Sequence, residues 1–69
     1  MKLNPVNSSN ITHVGYDAAS QEMHIQFSSG KTYSYVGVSP EQHQALVNAD
    51  SVGAHFAKAI RPNFTGKSL

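Results

Sequence analysis

Four histidines and a group of serines are the residues of this chain whose side chains could do chemistry. A histidine can bind a metal ion, and it can also activate a serine as a nucleophile by taking its proton. The histidines are His13, His24, His43 and His55, and no two of them form an i, i+4 pair on a predicted helix. No cysteine is present to complete a zinc site. The sequence therefore predicts solvated surface histidines and no metal.

The serines and carboxylates lie in predicted turns and at the starts of predicted helices. Ser28 and Ser29 lie in a predicted turn, whereas Ser39 and Ser51 precede predicted helices. The four acidic residues fall in loops or near helix starts, where the helix dipole stabilises a negative charge. The glycine spacing matches no phosphate-binding loop. We therefore predict a non-enzyme with no catalytic residue and no cofactor.

The basic residues near the carboxyl end form the one cluster typical of binding. His55 and Lys58 lie three residues apart, Arg61 follows, and Lys31 could join them from a predicted hairpin turn. A solvated helix face with cations near its carboxyl end explains this cluster without any ligand. The functional alternative is a small patch that contacts phosphates. A net charge of only +1 counts against a binder driven by electrostatics alone.

The length of 69 residues predicts one domain, near the lower limit for a chain that folds without disulfide bonds or a bound metal. Its core must come from packed apolar side chains, with a partner or a homo-oligomer as a further source of buried area. No apolar run is long enough to span a membrane, and the amino end lacks a secretory signal. With no cysteine, the expected location is the cytoplasm.

Three strand signals precede two helix signals. Residues 11–16 form the first predicted strand, in which Ile11 is out of phase and lies either on the opposite face or at a bulge. Residues 23–27 alternate strictly between apolar and polar side chains, as in a strand with one buried face. The third strand carries Tyr33 and Tyr35. Ser39-Pro40 and Ser51 then begin two helices, and Pro62 ends the second.

The loop between the second and third strands decides where the tyrosines lie. A three-residue loop Ser28-Ser29-Gly30 puts Ile25 opposite Tyr33, so both tyrosines join the helix-covered face. A two-residue loop moves both rings to the open face, because a one-residue slip inverts a strand. The loop chemistry favours the first register, whereas the second would let the rings stack on unpaired bases.

These signals predict an α+β fold, in which a three-stranded antiparallel meander is followed by two short α-helices packed on one face. We expect residues 1–8 to form an N-terminal arm, residues 9–64 the domain, and residues 65–69 a frayed tail. The predicted core consists of Ile25, Phe27, Tyr35, Leu46, Phe56 and Ile60.

From Ser9 onward the pattern resembles the KTSC domain, a small module of bacterial and phage proteins that also ends some lysyl-tRNA synthetases. The residues that carry this resemblance are Ser9-Asn10-Ile11, Val14-Gly15-Tyr16-Asp17, Ile25-Gln26-Phe27, Ser29-Gly30, Tyr33-Ser34-Tyr35, Val38-Ser39-Pro40 and Ser51-Val52-Gly53, with Phe56, Ile60 and Arg61. The chain departs from the family pattern at Ala54 and Ala57, where a basic residue and an asparagine are common. These two changes weaken a polar surface on the second helix.

The resemblance implies an RNA-binding role. We therefore expect a small non-catalytic module that binds RNA or single-stranded nucleic acid. Its expected contacts are Lys31, His55, Lys58 and Arg61, together with Tyr33 and Tyr35 if their rings lie on the open face of the sheet. The alternative is a protein-interaction module, such as a phage or bacterial accessory protein that docks on a host protein. It would use the open sheet face, which carries His24, Gln26, Thr32 and Ser34, or an exposed strand edge.

Overall fold

A five-stranded antiparallel sheet forms one layer of the molecule in the computed structural model, which describes residues 2–69. The order of the strands in the sheet is their order in the chain, and the two helices are in the segment that connects the fourth strand to the fifth. The elements are β1 (Leu3–Pro5), β2 (Ile11–Asp17), β3 (Glu22–Phe27), β4 (Thr32–Val36), α1 (Pro40–Val47), α2 (Val52–His55) with a π-helical segment (Phe56–Ile60), and β5 (Gly66–Ser68). The α+β class and the central meander are confirmed, but the predicted count of three strands is too low.

Strand β2 contains the bulge that the sequence left as one of two alternatives. Ile11 lies opposite Phe27, whereas His13 lies opposite Gln26, so Thr12 is the extra residue. A bulge of this kind shifts the alternation of side chains by one position. Ile11 therefore joins the core face and is fully buried.

The hairpin between β3 and β4 has the three-residue loop that the sequence favours. Gly30 has φ +93°, which glycine adopts readily. The Phe27 N–H donates to the Lys31 carbonyl at 2.8 Å and closes the loop. Ile25 then lies opposite Tyr33, and Met23 opposite Tyr35. The favoured register is confirmed, and both tyrosines are on the face that the helices cover.

The N-terminal segment is not an unpaired arm. Leu3 lies opposite Gly15 and Pro5 opposite His13, so β1 forms an edge strand along β2. Pairing satisfies backbone groups that β2 would otherwise expose on that edge. A strand of three residues that contains a proline has no readable alternation, so the sequence did not reveal it. Met1, the first residue of the expected arm, lies outside the described residues.

The C-terminal segment pairs in the same way, although the sequence predicts a frayed tail. Ser68 lies opposite Tyr33, and Gly66 opposite Tyr35. The Leu69 N–H also donates to the Thr32 carbonyl at 3.0 Å. Gly66 lies directly against the Tyr35 ring, because a methyl group built on Gly66 would be 2.8 Å from the phenol oxygen. Strand β5 therefore covers the tyrosine strand.

Both helices begin at the predicted serines. The Ser39 hydroxyl accepts from the Gln42 backbone N–H at 3.2 Å, and the Gln42 side-chain Oε1 accepts from the Ser39 backbone N–H at 2.9 Å. This reciprocal pair is the capping box that the sequence predicts. The Ser51 hydroxyl accepts from the Ala54 N–H at 3.3 Å and caps α2. Among residues 2–69, no helix combines the length and the apolar character that a membrane span requires.

The core lies between the sheet and the two helices. Five of the six predicted core residues are buried, whereas Phe27 is half-buried at the edge of the core. The list of six did not include the buried residues of β2, Met23 of β3, Val38 in the loop before α1, or Val52 of α2. The buried apolar residues are Ile11, Val14, Met23, Ile25, Tyr35, Val38, Leu46, Val52, Phe56 and Ile60.

Candidate functional site

Four aromatic rings form a continuous cluster at one end of the core. Phe27 meets Tyr33 edge to face with 5.8 Å between ring centroids, and it meets Phe56 at 5.5 Å. Phe56 in turn meets Tyr35 edge to face at 5.5 Å. These geometries are the ones that aromatic quadrupoles favour. The hairpin of β3 and β4 and the π-helical segment are therefore joined through their rings.

This cluster forms the floor of a groove of about 550 Å³, which we call the aromatic groove. Tyr35 is 5% exposed, whereas Tyr33 and Phe27 are half-buried. The tyrosines are thus not a platform on the open sheet face, since the register places them on the other side. The remaining lining residues are Asn10, Ser28, Ser29, Lys31, Ala57 and Arg61.

Two cations, Lys31 and Arg61, line the aromatic groove, and both are exposed. No acidic side chain is among the lining residues, so the groove carries two positive charges. In the range 2–69, neither cation forms an ion pair. The rest of the chain holds three lysines and four acids. The small net charge therefore conceals a local excess of positive charge at the aromatic groove.

The π-helical segment decides where Arg61 lies. The Arg61 N–H donates to the Phe56 carbonyl at 2.9 Å, five residues back rather than four. Arg61 therefore stands one turn above Phe56, where an α-helix would place Ile60. Single π turns are frequent at functional sites. The hydrophobic pattern of the sequence predicts an ordinary helix here, so the π turn could not be foreseen.

The predicted cationic cluster divides into two parts. Lys31 and Arg61 come together at the aromatic groove, whereas His55 and Lys58 are not among its lining residues. Lys58 is exposed on the π-helical segment and His55 is half-buried at the end of α2. A phosphate contact by either of these two residues stays a prediction.

Asn10 lines the aromatic groove and was not selected as a site residue from the sequence. Its Oδ1 accepts a hydrogen bond from the Ser8 hydroxyl at 3.0 Å. Gly53 of α2 lies against the same oxygen, since a methyl group built there would overlap Asn10 Oδ1. The proximity of Asn10 and Gly53, which are far apart in sequence, arises only in the folded chain.

On the opposite side of the sheet, Glu22, His24 and Ser34 form a cluster that we call the polar sheet face. His24 Nε2 lies 2.7 Å from Glu22 Oε2, and the Ser34 hydroxyl donates to the same oxygen at 2.7 Å. The hydrogen bond from His24, and then that from Ser34, lowers the pKa of Glu22 below the ordinary glutamate value. Ser34 is only 6% exposed.

The arrangement of these three side chains differs from that of a catalytic triad. The Ser34 hydroxyl donates to Glu22 rather than to a histidine. A carboxylate with a lowered pKa is a weak base, and the serine is shielded from solvent. The polar sheet face therefore resembles a satisfied hydrogen-bond network more than a catalytic triad.

The sequence predicts that His43 is a solvated surface histidine, and this prediction is wrong, because the side chain is half-buried. Its ring stacks on Tyr16 with 4.5 Å between centroids and 7° between planes. The Tyr16 hydroxyl donates to the Val38 carbonyl at 2.6 Å, which holds the pair in place. Burial lowers the pKa of His43 below the ordinary histidine value. Across residues 2–69, no three His, Asp or Glu side chains are grouped as metal ligands would be.

A second cavity of about 470 Å³ lies between β1 and the helices, and it differs in charge from the aromatic groove. Its lining includes His43 and Asp50 and no lysine or arginine. An anionic ligand is therefore matched by the aromatic groove and not by this cavity.

The fold and the groove define a class of small α+β domains with a meander sheet and two capped helices. The family model of the KTSC domain matches residues 7–64, and the chain belongs to that family. The resemblance stated from the sequence is therefore confirmed.

Individual relatives agree with this assignment. The chain is 44% identical over 62 residues to an uncharacterized protein of Stutzerimonas stutzeri, covering 90% of this chain and 87% of that protein. A KTSC domain protein of Yersinia pestis has a crystal structure with a TM-score of 0.94 and 35% identity, covering 99% of this chain and 96% of that one. The chain is also 38% identical over 59 residues to a lysine–tRNA ligase of Nostoc punctiforme, covering 86% of this chain and 10% of the ligase.

Proposed function

We propose that this KTSC domain is a non-catalytic binding module and that its ligand is RNA or another single-stranded nucleic acid. One observation carries the proposal: Lys31 and Arg61 line the same groove as the rings of Tyr33 and Phe27. Cations beside aromatic rings are the combination with which proteins bind unpaired nucleotides.

The two cations supply contacts to phosphates. They lie on different elements, Lys31 after the hairpin loop and Arg61 after the π-helical segment. Neither has an acidic partner among residues 2–69, so neither must give up an ion pair to bind an anion. Two contacts give weak binding that falls with salt, because each one releases counterions.

The half-buried rings supply a surface for stacking. Stacking of a base on an aromatic side chain contributes about 1–3 kcal/mol and tolerates any base. Tyr33 and Phe27 are partly accessible, whereas Tyr35 and Phe56 support them from the core. The similarity to one region of a lysine–tRNA ligase agrees with an RNA ligand, although the chain matches only a tenth of that enzyme.

A titration of 15N-labelled protein with a short mixed-sequence RNA at low salt tests this function. We expect amide shifts in the Ser28–Lys31 turn and near Arg61. Lys31→Ala and Arg61→Ala should each weaken binding and reduce the slope of log K against log salt by about 0.7. If no amide shifts at millimolar RNA, the proposal is wrong.

Two further lysines serve as controls and extend the test. Lys67 lies on β5 opposite Ser34, away from the groove, so Lys67→Ala should leave the slope unchanged. Lys58→Ala decides whether the bound strand continues along the π-helical segment, as the sequence predicts. A lower slope for this variant would add Lys58 to the interface.

A protein partner is the second candidate, and the exposed edge of β5 favours it. Strand β5 is the last strand of the sheet, so its outer backbone groups can pair with an added strand. The adjoining open face would contribute His24, Gln26 and Thr32. Purification of a tagged copy from its host, with and without nuclease, separates the candidates. A partner that survives nuclease and is lost on Thr32→Arg would support protein docking.

A further inference from the structure

We propose that the Tyr35 hydroxyl and the Arg61 guanidinium together hold one phosphate group in the aromatic groove. This inference rests on the proposed function and deepens it, because it assigns a phosphate contact to a tyrosine whose ring belongs to the core. It also names the cation that shares this phosphate. The two residues are far apart in sequence, and the fold brings both of them to the same groove.

The Tyr35 hydroxyl is a polar group without a partner on a buried ring. The residue is 5% exposed. Within residues 2–69, Tyr16 is the one tyrosine whose hydroxyl has a hydrogen-bond partner, the Val38 carbonyl. No buried side-chain oxygen or nitrogen in that range lacks a partner. The Tyr35 oxygen is therefore in the small part of the residue that reaches solvent, where its O–H is available to a ligand.

The neighbours of the ring determine from which side a ligand reaches this hydroxyl. Gly66 of β5 covers one side of the phenol, because a methyl group built there would be 2.8 Å from the oxygen. The Phe56 ring meets the Tyr35 ring edge to face, with 5.5 Å between centroids. Tyr35 also lines the aromatic groove, which is therefore the approach that remains. A ring held by two neighbours loses little conformational freedom when a ligand binds, and this favours affinity.

Arg61 is the cation beside this hydroxyl. Its backbone N–H donates to the Phe56 carbonyl at 2.9 Å, so the π turn places it above the ring that contacts Tyr35. Burial, and then the Tyr33 phenol, raises the pKa of Tyr35, whereas Arg61 lowers it. A guanidinium stabilises an ionised phenol in this way only when the two groups are close. Of the two cations that line the groove, Arg61 is the one that acts on this pKa.

A phosphate group matches this pair of donors. Its oxygens accept the parallel N–H groups of a guanidinium, and tyrosine hydroxyls are among the side chains that donate to phosphates in nucleic-acid complexes. No acidic side chain lines the groove, so no carboxylate there repels the anion. Lys31, on the hairpin side of the groove, is then available to a neighbouring phosphate of the same strand.

Tyr35→Phe tests the inference because it removes the hydroxyl and keeps the ring. The hydroxyl has no partner within residues 2–69, so the variant should melt like the wild type. The probe is hexauridylate at low salt, with binding followed by amide shifts. We expect the affinity to fall about tenfold, the lower end for a hydrogen bond to a charged group. The slope of log K against log salt should stay unchanged, since no charge is lost, whereas Arg61→Ala reduces it.

Tyr16→Phe is the matched control, because it removes a hydroxyl outside the aromatic groove. That hydroxyl donates to the Val38 carbonyl at 2.6 Å. The control should therefore lower the melting temperature and leave the affinity for hexauridylate unchanged, which is the reverse of the pattern expected for Tyr35→Phe. If Tyr35→Phe binds within about twofold of the wild type, the inference is overturned and the proposed function is left intact.

Two backgrounds test whether the hydroxyl and Arg61 share one phosphate. In an Arg61→Ala protein, Tyr35→Phe should weaken binding by less than about twofold, because the shared contact is already disturbed. In a Lys31→Ala protein, the loss should stay near tenfold, because Lys31 contacts a different phosphate. Equal losses in the two backgrounds would contradict a shared phosphate.

Hexauridylate with and without a 5′-phosphate distinguishes two sources of the phosphate. A phosphodiester within the strand predicts that Tyr35→Phe weakens both oligonucleotides alike, whereas a terminal phosphate predicts a loss for the phosphorylated one alone. Either result supports the inference. If the wild-type protein binds neither oligonucleotide, the proposed function fails, and the inference fails with it.

Discussion

The aromatic groove and the polar sheet face share the same two strands, but they differ in how many of their polar and charged side chains have a hydrogen-bond or ion-pair partner within the protein. Alternate residues of β3 and β4 point to opposite sides, so Phe27 and Tyr33 face the groove while His24 and Ser34 face away. On the polar sheet face, both His24 and Ser34 bond to Glu22. In the aromatic groove, Lys31 and Arg61 have no acidic partner within residues 2–69.

This difference indicates where unused binding capacity lies. A network whose donors meet an internal acceptor gains little from an added ligand, because it must first break its own bonds. Exposed cations beside half-buried rings keep their capacity for a ligand. The comparison therefore favours the aromatic groove as the binding surface and assigns a structural role to the polar sheet face.

The largest expected effect comes from removing the ring that supports the groove. Phe56 is 4% exposed and contacts the rings of Phe27 and Tyr35. We expect Phe56→Ala to lower the free energy of unfolding by about 3–5 kcal/mol, comparable to the whole stability of so small a domain. Chemical denaturation measures it. Val36→Ala, at a side chain 66% exposed, should change stability by less than about 0.5 kcal/mol. An unshifted melt for Phe56→Ala would refute the core assignment.

Gly66→Ala tests whether β5 covers the tyrosine strand. The added methyl group would approach the buried Tyr35 ring to 2.8 Å, so either the ring or the strand must move. Overpacking of this kind costs about 1–3 kcal/mol. Thermal melts compare this variant with Thr65→Ala, which changes a neighbouring exposed residue. If Gly66→Ala melts like the wild type, the tail is frayed as the sequence suggested.

Tyr33 links core and groove, and two substitutions separate these roles. Because the ring is half-buried, Tyr33→Ser should cost about 1–2 kcal/mol, whereas Tyr33→Phe should cost much less. Both unfolding curves can be measured without any ligand. A Tyr33→Ser protein as stable as the wild type would mean that the ring does not contribute to the core.

The smallest effect concerns the polar sheet face and depends on pH. The pKa of Glu22 is lowered in the folded state, chiefly by its hydrogen bond with His24, so the ionised carboxylate stabilises the fold. This stabilisation is present above the ordinary glutamate pKa and is lost as the pH falls through the lower folded pKa. Wild type should therefore exceed Glu22→Gln in stability at neutral pH, with a difference that shrinks in acid. Glu41→Gln reports the effect of losing one acidic charge elsewhere. A difference independent of pH would contradict the network.

Much of the central fold was predictable because its signals are local. The strict alternation of residues 23–27 predicts a half-buried strand, and Ser28-Ser29-Gly30 predicts the loop that sets the tyrosine register. The serine caps predict the starts of both helices. Of the candidate site residues, Lys31, Tyr33, Tyr35 and Arg61 line one groove, although the sequence could not show that they share it.

The amino-acid sequence by itself determined which face β3 buries, where the helices begin and which cations were available, and it favoured the register that buries the tyrosines. The tertiary structure decided the pairing of β1 and β5, the π turn that lifts Arg61 above Phe56, and the contact of Asn10 with Gly53. The physical reason is the range of the interactions. Alternation, loop closure and capping act between residues that are near in sequence. The pairing of edge strands, the widened helical turn and the packing of the Gly53 backbone against the Asn10 side chain depend on residues that only folding brings together.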